Sequence, residues 1–173
     1  MPNLLRQTLE GSGQWGAVRV IPANVLAMDV MVDGTIVEST GYHLALDIVV
    51  SDSTGRRWFA KRYEQDADTA SYRDGPGKDR DPYQNVYVNV ANDMLAFRKA
   101  LKNDELVAIP RVTKLRFAND LAPVAFKDYL AKDAKARDGK PAYKVTRLPA
   151  DGDPVVDRVE RIRERDQGMV DTL

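Results

Sequence analysis

Between Tyr42 and Ser51 every second residue is aliphatic: Leu44, Leu46, Ile48 and Val50 share one face, and His43, Asp47 and Ser51 fall on the other. Period two sustained over ten residues fits a strand with one side buried. Asp52-Ser53-Thr54-Gly55 then reads as a hairpin loop, with Gly55 suited to a positive φ. The aromatic-rich run through Trp58, Phe59 and Tyr63 returns as the next strand. Upstream, residues 25–32 are apolar apart from Asp29, Asp33-Gly34 is a turn or bulge signal, residues 35–40 continue as β and Gly41 breaks the run. Residues 15–21, with Val18 and Val20 on one face and Pro22 behind them, read as one more strand. Short turns between such strands make neighbours antiparallel, so residues 14–63 predict a β-meander.

Helical spacing surrounds it. Leu4, Leu5 and Leu9 share a face ahead of Gly11 and Gly13, which predicts a short N-terminal helix. Asp81-Pro82-Tyr83-Gln84 has the order of N-cap, N1 and N3, and Val86, Val90, Met94, Phe97 and Leu101 make an inward stripe behind it. Pro110 predicts the start of another helix (Val112, Leu115, Ala118, Leu121), and Pro123 a third through Phe126 and Leu130. Residues 143–148 alternate as a further strand at the sheet edge. Asp153-Pro154 opens a final amphipathic helix over 154–173, with Val155, Val159, Ile162, Met169 and Leu173 as its stripe. The expectation is one α+β domain, residues 1–173, with the antiparallel sheet packed against N-terminal, central and C-terminal helices. At 173 residues the chain is long enough for a proper core.

Residues 65–81 are polar and too long for an ordinary turn, which marks a flexible or functional loop. Tyr72, Arg73, Lys78 and Arg80, with Tyr83 just beyond, have the composition of interface hot spots and are the candidate binding residues. Gly75-Pro76-Gly77-Lys78 in the same loop lacks the spacing of a phosphate loop.

Several chemistries are excluded. There is no cysteine, so thiolate catalysis, disulfides and cysteine-held metals are absent. His43 is the only histidine, which rules out a multi-histidine metal site. No metal or other cofactor is expected. Lys+Arg and Asp+Glu are 26 each, a balance that disfavours nucleic acid or a polybasic membrane binder. The arginines of the last helix are interleaved with acids, as in intrahelical ion pairs. Asp29 and Asp47, on adjacent predicted strands, are the one carboxylate pair for a hydrolase; with His43 they otherwise read as the polar face of a half-buried sheet.

The run Leu4-Leu5-Arg6-Gln7-Thr8-Leu9-Glu10, then Gly11-Ser12-Gly13-Gln14-Trp15 and Val18-Arg19-Val20, leads a helix into a strand through small residues. Val32-Asp33-Gly34-Thr35-Ile36 and Asp52-Ser53-Thr54-Gly55-Arg56-Arg57-Trp58 extend the pattern, and Asp81-Pro82-Tyr83-Gln84-Asn85 and Ala91-Asn92-Asp93-Met94-Leu95 follow. Over residues 3–101 this resembles the αβ modules of bacterial envelope proteins: the penicillin-binding-protein activator lipoproteins, the curli secretion channel subunit and the N-terminal domain of the Tol translocation protein. The resemblance implies a non-catalytic binding or assembly role toward a protein or cell-wall partner, in the periplasm or at the outer membrane. Membrane attachment would be only through a lipid anchor upstream of Met1. A carboxylate-dependent hydrolase and a cytoplasmic regulatory domain are the alternatives.

Overall fold

The computed structural model describes residues 2–21, 28–68, 81–133, 141–150 and 152–171. It is an α+β structure with a three-stranded antiparallel sheet, a two-stranded sheet and five helices among those residues. The chain groups into two compact units. One takes Met1–Val20, Val32–Val50 and Trp58–Ala100; the other takes Ile21–Met31, Ser51–Arg57 and Leu101–Leu173.

The first unit holds α1 (Pro2–Gly11), most of β1 (Val30–Ser39), β2 (His43–Asp52) and β3 (Arg57–Asp66), and α2 (Gln84–Ala100). The strands lie in the order β1-β2-β3. The aliphatic row of β2 is buried as its alternation demands: Leu44, Leu46, Ile48 and Val50 are inside. Helix α2 buries Val86, Val90 and Met94 together with Tyr87 and Ala91. Leu9 of α1 is buried, and the Gln84 amide of α2 donates to Thr8 Oγ1 of α1 at 3.0 Å.

Strand β3 is out of step with strict alternation. Trp58 stacks on Phe97 of α2 at 5.1 Å, while Lys61, Tyr63 and Gln65 also meet α2. An even and an odd set of residues on one face require one additional residue between Trp58 and Lys61, as in a β-bulge. From there the pairing with β2 is regular: Arg62 sits against Asp47, Asp66 against His43, and Ala67 N–H donates to the Tyr42 carbonyl.

In the second unit, α3 (Asn103–Leu121) packs on α4 (Pro123–Phe126), α5 (Pro154–Asp171) and the sheet of β4 (Leu130–Asp133) and β5 (Ala142–Val145). Leu115, Ala118, Phe126 and Val159 form the core, with Tyr129, Leu130, Val145 and Val156 against it. The β2–β3 hairpin loop is built into this unit. Buried Ser53 donates to the Ile109 carbonyl at 2.6 Å, Arg116 donates to the Ser53 carbonyl at 2.9 Å, and Tyr143 N–H donates to the Thr54 carbonyl at 2.8 Å. Gly55 has φ +87°, as its place in the loop predicts.

Five expectations are corrected. Residues 15–21 form no strand; Trp15 lies in a turn after Gly13 (φ +64°) and packs on Trp58 under Arg98, so the sheet begins at Val30. Asp33-Gly34 does not turn the chain, because β1 runs through it; a Cβ on Gly34 would come within 3.1 Å of Ile48 Cδ1, so close packing explains this glycine. Pro110 lies inside α3 rather than opening a helix, since the helix already starts at Asn103, where Glu105 Oε2 accepts from Lys102 N–H at 2.9 Å. The helix at Pro123 lasts four residues, and Leu130 enters β4, whose partner is β5; the strand expected at 143–148 therefore belongs to a separate sheet. Finally, α5 turns Val156 and Val159 inward, with Glu160 held by Lys114 at 2.6 Å, and leaves Val155, Ile162 and Met169 exposed. Residues 25–27 of the 25–32 segment and Leu173 lie outside the described residues.

Candidate functional site

The candidate site lies in the first unit, where β1 turns into β2 and β3 ends. Thr40 organises the turn: its N–H donates to the His43 carbonyl at 2.8 Å, and its hydroxyl accepts from His43 N–H at 2.8 Å and Tyr42 N–H at 3.2 Å. Such hydroxyl-to-backbone bonds close a tight turn without a ladder. Gly41 sits inside it, and Tyr42 is 68% exposed at the tip.

Both stems of the 65–81 segment are fastened here. On the leading side, Ala67 N–H donates to the Tyr42 carbonyl at 2.7 Å. On the returning side, Tyr83 donates its phenol proton to the Thr40 carbonyl at 2.9 Å. The two stems are also joined to each other, because Asp68 N–H donates to the Pro82 carbonyl at 3.1 Å. Gln65 ties them twice: its amide donates to the Pro82 carbonyl, and its oxygen accepts Val86 N–H, both at 3.1 Å. Val86 N–H, at the start of α2, shares this bond with the Tyr83 carbonyl, to which it also donates at 3.0 Å. Asp81 accepts from Tyr83 N–H at 2.8 Å, so it caps the approach to α2, which begins only at Gln84. Of the predicted binding residues, Tyr83 is therefore part of the clamp, while Tyr72, Arg73, Lys78 and Arg80 lie outside the described residues.

Charges line the outer side of the same hairpin. His43 Nδ1 lies 2.7 Å from Asp66 Oδ1. The imidazole pKa is raised above 6.5, first by this hydrogen bond, with the charges of Glu38, Asp66 and Glu64 adding to it against a smaller desolvation effect. Four residues along each strand, Arg62 grips Asp47 through Nε and Nη2 at 2.7 and 2.8 Å and holds its carboxyl below the usual range. On the α2 side, Asp93 accepts from Lys61 Nζ and the Tyr63 phenol, each at 2.6 Å, and these bonds lower its pKa. Burial, then the Asp93 bond, pushes the Tyr63 phenol upward; burial pushes Tyr87 up to about 12.

The carboxylate pair considered for hydrolysis has little of the required chemistry. Asp29 is exposed and precedes β1 instead of lying in a strand, and its carbonyl accepts Ser53 N–H at 2.9 Å. Asp47 is paired with Arg62, and a carboxyl with a lowered pKa is a poor proton donor near neutrality. Among the described residues there is no group of three metal-ligating side chains, and no helix is long and apolar enough to cross a membrane.

Sequence reading missed the Thr40 turn, the His43–Asp66 pair and the Gln65 tie. His43 and Asp66 are 23 positions apart, and no local pattern links them. The fold and site together define an α+β module in which a hairpin end clamps the stems of a long polar segment. No family model matches the chain, and comparisons with curated proteins and with solved structures return no match.

Proposed function

We propose that the protein is a non-catalytic binding or assembly module of the bacterial cell envelope that holds a protein partner through the 65–81 segment. The supporting observation is the double fastening of that segment: its leading stem is bonded at Tyr42 and its returning stem at Thr40. A loop held at both ends by a rigid hairpin loses less entropy on binding than a free one, which is how binding segments gain affinity from a scaffold. Tyr72, Arg73, Lys78 and Arg80 then supply aromatic area and charge to the partner. The envelope assignment rests on the resemblance of residues 3–101 alone.

Site-specific photo-cross-linking in cells tests the reading. A photoreactive residue at position 72 should give a discrete protein adduct that disappears with Arg73→Ala and Arg80→Ala. The same probe at Val124, 89% exposed in the other unit, should give none. Equal labelling from both positions, or no adduct from position 72, rejects the binding role. Recovery of the native protein with the cytoplasmic fraction rejects the compartment.

A further inference from the structure

We propose that the His43–Asp66 pair is a proton-operated latch on the base of the binding segment. With the imidazole protonated, the pair ties the end of β3 to the β1–β2 turn; with it neutral, the tie weakens. The latch rests on the proposed binding role, as regulation of that same site.

The geometry supplies the lever. His43 is the first residue of β2 and has its backbone locked by Thr40 through three bonds, so the ring projects from a fixed point. Asp66 is the last residue of β3. The next residue, Ala67, makes the backbone bond to Tyr42, and the one after, Asp68, makes the bond to Pro82. The side-chain pair therefore sits immediately before the bonds that hold the stems together. The charged groups acting on the imidazole are all carboxylates: Glu38 from β1, and Asp66 and Glu64 from β3. A neutral imidazole can still donate one hydrogen bond to Asp66, but a charged one makes an ion-assisted bond, roughly twice as strong, and offsets three nearby negative charges.

The direction follows from linkage. A histidine with a raised folded-state pKa contributes stability that is fully present below its unfolded value, about 6.5, and is lost as pH rises through the raised value. The latch closes as the medium acidifies and opens on the alkaline side of neutrality. Added salt weakens it by screening the carboxylates.

The test is a pH titration of the whole chain by NMR, following the His43 ring and the protection of the Ala67 and Asp68 amides against exchange. The expected result is a His43 midpoint above 6.5, with both amides losing protection severalfold through the same midpoint once intrinsic exchange is corrected. Asp66→Asn should lower the midpoint and flatten the protection step, and His43→Gln should abolish the step without lowering the melting temperature at alkaline pH. A His43 midpoint at or below 6.5, or amide protection that ignores it, overturns the latch. Cross-linking from position 72 reads separately: a normal titration without an adduct rejects the binding role, and an adduct that forms equally at pH 6 and pH 8.5 rejects the regulation.

Discussion

Gly55 shows how one residue's backbone fixes a larger arrangement. Its φ of +87° lies where L side chains rarely go, and a Cβ there would fall onto the Pro141 carbonyl oxygen and within 3.0 Å of Ala142 Cα. Neither obstacle is a flexible side chain, so neither yields cheaply. Gly55→Ala should cost on the order of 2–3 kcal/mol in urea unfolding, from αL strain with backbone crowding added. A loss below about 0.5 kcal/mol would contradict the Pro141 contact. The need for glycine here was legible in Asp52-Ser53-Thr54-Gly55. What it presses against was not, because Pro141 is distant in sequence and nothing in the loop points to it.

At the scale of elements, two features show how local sequence rules are overridden. The first is Pro110. A proline without an N–H is expected at a helix start, yet α3 begins at Asn103 and buries Ile109, Val112, Leu115 and Ala118 across it. Tertiary packing overrides the local preference. Pro110 itself is exposed, so Pro110→Ala removes no packing and should raise stability by up to about 3 kcal/mol, measured by denaturant midpoint. The second is the additional residue in β3. Counting back from the Asp52–Arg56 backbone bond without it sets His43 opposite Gln65 and conceals the Asp66 pair. The burial of Leu44, Leu46, Ile48 and Val50 was legible because alternation in β2 is unbroken. The chain has no cysteine, so register can be read chemically. Ala45 lies between His43 and Asp47, and Glu64 between Asp66 and Arg62; these are opposed, non-hydrogen-bonded positions with spacing suited to a disulfide. Ala45→Cys with Glu64→Cys should oxidise readily to an intramolecular disulfide, while Ala45→Cys with Ala60→Cys should stay reduced.

At the scale of the whole molecule, three carboxylates are held below their ordinary range by basic or hydrogen-bonding neighbours. Arg62 lowers Asp47, Lys61 and then Tyr63 lower Asp93, and Arg56 lowers Glu105. Groups depressed in the folded state contribute stability above their unfolded pKa, about 4, and lose it as pH falls through the folded value. The melting temperature should therefore change little from these groups above pH 5 and fall steeply below pH 4, with Asp93→Asn flattening the acid limb. A melting temperature constant to pH 2.5 would show that these pairs contribute nothing. Neither compact unit is one continuous stretch, since the chain passes between them repeatedly. That interleaving has a consequence for biosynthesis. Thr54 leaves the ribosome about ninety residues ahead of Tyr143, the residue whose amide it accepts; at ~5–20 residues per second the wait is roughly 4–18 s. Buried Ser53 waits 56 residues for the Ile109 carbonyl of α3, and through the whole interval Thr54 has no β5 to meet. The hairpin loop is thus covered by β5 only after residue 143 has emerged, so a nascent chain stalled before it should carry an incompletely covered hairpin loop within reach of chaperones and proteases.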